Sequence, residues 1–175
     1  GIIHRDIKPS NIFLPESGAP ADAVKLVDFG IAVFTRSDTY TRLTATGMVL
    51  GTPAYMPPEQ VCGDPLDGRT DVYSLAATLH TILVGEPPFG RGTWGEILPR
   101  ILTGARVTLD KRGVESDLAK VIERALCTDP SARWKDARAM ETALEALDLG
   151  GARTVLAWAP PARISVTRLA PFDDT

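Results

Sequence analysis

At 175 residues and 44% hydrophobic content, the chain is sized for about one domain with an ordinary core, which excludes an intrinsically disordered protein. A net charge of −3 offers no bulk attraction to nucleic acid or to an anionic membrane surface, so any partner must be selected by local sites. Cys62 and Cys127 are isolated and far apart, which excludes a disulfide framework and a paired zinc site and fits a reduced cytoplasm. No apolar run approaches the roughly 18–20 residues of a spanning helix, and no basic-then-apolar leader opens the sequence.

In chain order, Ile2 and Ile3 predict a short buried approach to His4-Arg5-Asp6-Ile7-Lys8-Pro9-Ser10-Asn11. This stretch gathers a carboxylate, an ammonium and an amide oxygen on a backbone that Pro9 stiffens. Asp6 can orient a hydroxyl and accept its proton, Lys8 can neutralise a phosphate, and the Asn11 oxygen can bind a divalent cation. Residues 11–14 and 24–27 predict two strands of a hairpin, joined by a Pro-, Gly- and Ala-rich loop over 15–23 where insertions are tolerated. Asp28-Phe29-Gly30 follows: a second carboxylate suited to a metal, an apolar residue to seat it and a glycine that lets the chain swing. Together the two stretches read as phosphoryl-transfer chemistry.

Residues 31–50 turn to Thr, Ser, Arg and Gly with little periodicity, which predicts an irregular segment. Gly51-Thr52-Pro53-Ala54-Tyr55-Met56-Pro57-Pro58-Glu59 comes next, and the paired prolines cost little at a helix start. Residues 69–84 predict a helix apolar on nearly every face (Val72, Leu75, Ala76, Ala77, Leu79, Ile82, Leu83 and Val84), which belongs in a core. His80 on it is expected to be packed or half-exposed. Gly85 ends the helix and Pro87-Pro88-Phe89 turns the chain away. Trp94, Ile97, Leu98, Ile101 and Leu102 repeat at helical spacing, with Pro99 a potential kink. Ser116 or Asp117 is expected to cap the next helix, whose stripe is Leu118, Val121, Ile122, Ala125 and Leu126. Trp134, Ala137, Met140, Leu144 and Leu147 make a last stripe closed by Gly150-Gly151. Beyond it, residues 150–175 are Ala-, Pro- and Arg-rich and read as a linker or tail.

The His4-Arg5-Asp6 loop, the Asp28-Phe29-Gly30 turn, Gly51-Thr52-Pro53 through Glu59, and Asp71-Val72-Tyr73-Ser74-Leu75 stand in order and at workable spacing. In this the chain resembles the C-terminal lobe of a eukaryotic-type serine/threonine protein kinase of bacterial kind, over residues 1–149. The resemblance implies a protein kinase-like fold: a mainly α-helical C-terminal lobe with short β-hairpins, the N-terminal lobe absent. It further implies ATP and Mg2+ (or Mn2+) as cofactors and serine or threonine hydroxyls of proteins as acceptors. Asp6, Lys8 and Thr52 fall at catalytic positions, with Thr52 bridging Lys8 and Asp6. Lys8, Asn11, Phe13 and Asp28 fall at nucleotide positions, Phe13 as an apolar floor beneath adenine, and Asn11 and Asp28 at metal positions. Arg5, Thr44 and Thr46 are regulatory, a phosphate on either threonine being drawn to the Arg5 fork. His4 packs beneath Phe29, Gly30 frees the turn, Asp71 holds backbone amides of the catalytic loop, and Glu59 pairs with Arg133. Ser10 and Thr81 stand where arginine-selecting kinases carry acidic side chains, so a dominant arginine two residues before the target is not expected.

The glycine-rich loop, strand lysine and hinge that such an enzyme needs do not precede Gly1, so the chain is expected to be a stretch of a longer reading frame, doubtfully active alone. The expected setting is cytoplasmic, with protein substrates and the other kinase lobe as partners and neither nucleic acid nor a membrane segment in this stretch. A scaffold that no longer catalyses would have no need of Asp6, Lys8, Asn11 and Asp28 together. A small-molecule phosphotransferase would have no need of Gly51-Thr52-Pro53 or of Glu59 with Arg133. Phosphate transfer from labelled ATP to a casein-like protein, but not to aminoglycosides, separates the three.

Overall fold

The computed structural model describes residues 2–13, 24–28 and 53–147. Residues 14–23, 29–52 and 148–175, among them Phe29, Gly30, Thr44, Thr46 and Thr52, lie outside the described residues.

The predicted hairpin is present but shorter than its apolar runs. β1 (Ile12–Phe13) pairs antiparallel with β2 (Lys25–Leu26), Ile12 opposite Leu26 and Phe13 opposite Lys25. Asn11, expected in the first strand, closes a 3-10 turn over Pro9–Asn11 instead, because Pro9 fixes φ for a tight turn and the Asn11 amide bonds back to Lys8 O at 3.0 Å. The ladder still gains a rung there: Val27 N–H donates to Asn11 O at 2.9 Å.

Five α-helices carry the rest of the described chain. α1 (Pro58–Cys62) starts on the second proline, whose missing N–H has no helical partner to lose. α2 (Gly68–Val84) begins one residue earlier than predicted, with the Asp67 carboxylate accepting from Arg69 N at 2.8 Å. It ends at Gly85, whose φ of 78° is left-handed and whose N–H returns to Thr81 O. α2 packs against α4 (Ser116–Ala125) and α5 (Ala137–Glu145), while α3 (Trp94–Thr103) lies against the Pro53–Tyr55 turn and α1. The core joins Val72, Tyr73, Ala76 and Ala77 of α2 to Ile97, Ile101, Ile122, Leu126 and Met140.

Further expectations are corrected, among them the buried approach at Ile2, which is 85% exposed. α2 is central, yet its most buried residues include Thr70, Ser74, Thr78, His80 and Thr81, whereas Leu75, Leu79, Ile82, Leu83 and Val84 are only partly buried. The hydroxyls can be buried because Ser74, Thr78 and Thr81 donate to Thr70 O, Ser74 O and Ala77 O, four residues back, at 3.2, 2.9 and 2.8 Å. α4 is capped by Glu115, not Ser116 or Asp117: its carboxylate accepts from Asp117 N and Leu118 N at about 3 Å. In α3, which includes Pro99, the predicted stripe is buried only in part: Ile97 and Ile101 are buried, whereas Leu102 is exposed. Trp134 stands ahead of α5, where its Nε1–H donates to Val121 O at 3.0 Å, and Ala137 is exposed, so Met140 carries the buried face of that helix.

Candidate active site

Two helices fix the segment 4–11 from below. The Asp71 carboxylate, in the first turn of α2, accepts from His4 N–H at Oδ2 (2.8 Å) and from Arg5 N–H at Oδ1 (2.9 Å). From α1, Gln60 Nε2–H donates to Arg5 O at 3.1 Å. Arg5 needs such support, for its φ of 69° is left-handed, a conformation that costs a non-glycine residue about 1–3 kcal/mol.

His4 is buried and joins the loop to the hairpin. Its Nε2 lies 3.0 Å from Val27 O and its Nδ1 accepts from Asp6 N–H at 3.3 Å. A carbonyl oxygen only accepts and an amide only donates, so these two partners require the Nε2–H tautomer. Val27 is thus tied to the loop at both ends, its N–H to Asn11 and its carbonyl to His4, which brings the following residue, Asp28, alongside. Asp28 is exposed and also left-handed, at φ 57°.

Asp6 is the point of convergence. Lys8 Nζ lies 2.7 Å from Asp6 Oδ2, and Asn11 Nδ2 donates to the same oxygen at 3.0 Å and to Asp6 O at 2.8 Å. The bonds to this carboxylate among the described residues all land on Oδ2. With Asn11 Nδ2 fixed by two acceptors, Oδ1 of that amide is the atom left to act as a ligand; Ser10 Oγ reaches it only at 3.4 Å. Among the described residues no cluster of three or more His, Cys, Asp or Glu can cage a metal. One amide oxygen and one exposed carboxylate, Asn11 and Asp28, nevertheless suit Mg2+, which keeps several waters and is shared with substrate phosphates.

Away from the loop, Arg133 grips Glu59 bidentately, NH1 to Oε1 at 2.7 Å and NH2 to Oε2 at 2.8 Å. Its remaining donors reach Cys127 O, Arg69 O and Thr128 O, so all five N–H groups are used. Thr70 Oγ1 adds a bond to Glu59 Oε1 at 3.2 Å, and the guanidinium lies 4.7 Å above the Tyr73 ring centroid.

The structure therefore gathers His4, Arg5, Asp6, Lys8, Asn11, Asp28 and Asp71 around one loop and puts Glu59 and Arg133 together. Phe13 sits half-buried in the hairpin opposite Lys25. Phe29, Gly30, Thr44, Thr46 and Thr52 lie outside the described residues. Sequence reasoning missed Gln60, in the five-residue α1, and Thr70, in the first turn of α2, because neither belongs to a motif or an apolar period that would single it out.

A protein kinase domain family model matches residues 1–145. Serine/threonine-protein kinase PknB of Mycobacterium tuberculosis is 38% identical over 146 residues, covering 82% of this chain and 22% of its own. Serine/threonine-protein kinases PknJ and PknF of the same species are 39% and 38% identical over 165 and 135 residues, covering 92% and 77% of this chain and 27% and 28% of their own. The chain spans about a quarter of the length of the curated relatives it matches.

Proposed function

The chain belongs to the protein kinase domain family, and from that premise we propose that the enzyme carrying it moves the γ-phosphoryl group of ATP onto serine or threonine hydroxyls of proteins. The observation that carries this reading is the convergence of Lys8 and Asn11 on a single oxygen of Asp6, on a loop anchored by Asp71.

Asp6 Oδ1 faces the acceptor hydroxyl, orients it and receives its proton. A carboxylate is a far weaker base than the alkoxide it would have to generate, so Asp6 works mainly by positioning. Lys8 neutralises charge on the transferring phosphate, and the catalytic role of Thr52, which lies outside the described residues, rests on the family alone. Asn11 Oδ1 and the Asp28 carboxylate would hold Mg2+ or Mn2+, which when bound would neutralise phosphate charge. Phe13 floors the adenine. Arg5 receives a phosphate placed on Thr44 or Thr46. Residues 1–149 form part of the kinase domain and 150–175 a Pro/Ala-rich linker or tail. The setting is cytoplasmic, and among the described residues no helix is long and apolar enough to cross a membrane. Thr81, buried and bonded to Ala77 O, offers no carboxylate to a basic peptide.

Labelled ATP, a casein-like protein and an aminoglycoside provide the test on the full-length enzyme. Label goes to the protein only, and Asp6→Asn lowers kcat by roughly 10²–10⁴-fold. Undiminished transfer by Asp6→Asn, or transfer to the aminoglycoside alone, defeats the proposal.

A further inference from the structure

We infer that Gln60 is a positioning residue for the catalytic loop, holding the peptide plane from which the Asp6 carboxylate projects. That plane joins Arg5 to Asp6. Its oxygen, Arg5 O, accepts from Gln60 Nε2 at 3.1 Å, and its nitrogen, Asp6 N, donates to His4 Nδ1 at 3.3 Å. The preceding plane is held through Arg5 N–H by Asp71 Oδ1 at 2.9 Å. Arg5 thus turns at φ 69° between two fixed planes. A left-handed arginine tends to relax, and relaxing it would swing the Asp6 side chain away from Lys8 and Asn11.

Two further observations support the role. Gln60 Oε1 is buried with no partner among the described residues, so the amide accepts a desolvation penalty while making its bond to Arg5. Gln60 also follows Glu59, which Arg133 pins at both oxygens, so the helix from which Gln60 reaches is itself clamped. A contact from so firm a base transmits position and not merely packing.

The kinetic part of the test rests on the kinase reading; the exchange part does not. In the full-length enzyme, Gln60→Met keeps the length and removes the donor, whereas Gln60→Lys restores a donor. For Gln60→Met the expectation is faster hydrogen exchange at the Arg5 and Asp6 amides, an unchanged urea midpoint, and kcat lowered about 3- to 10-fold with KM for ATP within twofold. Gln60→Lys should recover at least half of each change. Unaltered exchange at those two amides, or faster exchange across the whole fold with a lower midpoint, overturns the inference. If the unsubstituted enzyme transfers no phosphate, the proposed function falls while the exchange data still decide the role of Gln60.

Discussion

His80 shows a polar side chain carried fully into the core at the end of a central helix. It is 1% exposed, its Nδ1–H donates to Glu86 O at 3.0 Å, and its Nε2 is buried with no partner among the described residues. Burial pushes the imidazole below its ordinary value, with Arg106 and Arg112 adding to the effect and the Glu86 bond and Glu123 opposing it. A depressed folded pKa means the unfolded chain binds the extra proton first. Stability is therefore fully present above the ordinary value near 6.5 and is lost as pH falls from there through the folded pKa. Comparison of urea midpoints at pH 7.5 and 5.5 should show a drop in the parent protein and a smaller one in His80→Asn, whose amide can still donate to Glu86 O. Equal drops would mean that His80 does not contribute.

At the scale of elements, the helices stand on caps that their apolar stripes do not reveal. α5 starts on Asp136, which accepts from Ala139 N at 2.7 Å, and α3 on Thr93, whose N–H donates to Glu96 Oε2 at 2.8 Å. α4 starts on Glu115 although serine and aspartate stand next in line. A glutamate succeeds there because its longer side chain folds back onto two successive amides, Asp117 N and Leu118 N, next to the positive end of the helix. Glu115→Ala should cost about 1 kcal/mol in denaturant melts, and Ser116→Ala no more than about 0.5 kcal/mol. The reverse order would return the cap to Ser116.

Across the whole molecule, the Glu59–Arg133 pair ties α1, beside the catalytic loop, to the turn that precedes α5. Both side chains are nearly sealed, at 0% exposure for Arg133 and 8% for Glu59, so neither charge has water to fall back on. Arg133→Leu should destabilise by about 3–5 kcal/mol, because Glu59 is left buried and unpaired. Arg133→Lys should recover less than half of that loss, since three donors on one nitrogen cannot reach acceptors spread over Glu59, Arg69, Cys127 and Thr128. Equilibrium denaturation of the two variants measures both values, and full recovery by lysine would show that charge alone matters there.

Read alone, the sequence determined the ordered motifs, the hairpin around Ile12 and Leu26, the central helix and the stripe of α4, because side-chain type and spacing carry those directly. The Asp6, Lys8 and Asn11 grouping was legible for the same reason, its members lying within one short turn. Only the folded chain decided that Glu115 caps α4, that hydroxyls share the buried side of α2 with Val72, Tyr73, Ala76 and Ala77 while its leucines are partly buried, and that Trp134 packs ahead of its helix. It also decided that Gln60 reaches the Arg5 carbonyl. Each depends on which distant groups arrive beside a side chain, and burial and bond partners are properties of that arrival, which no local pattern encodes.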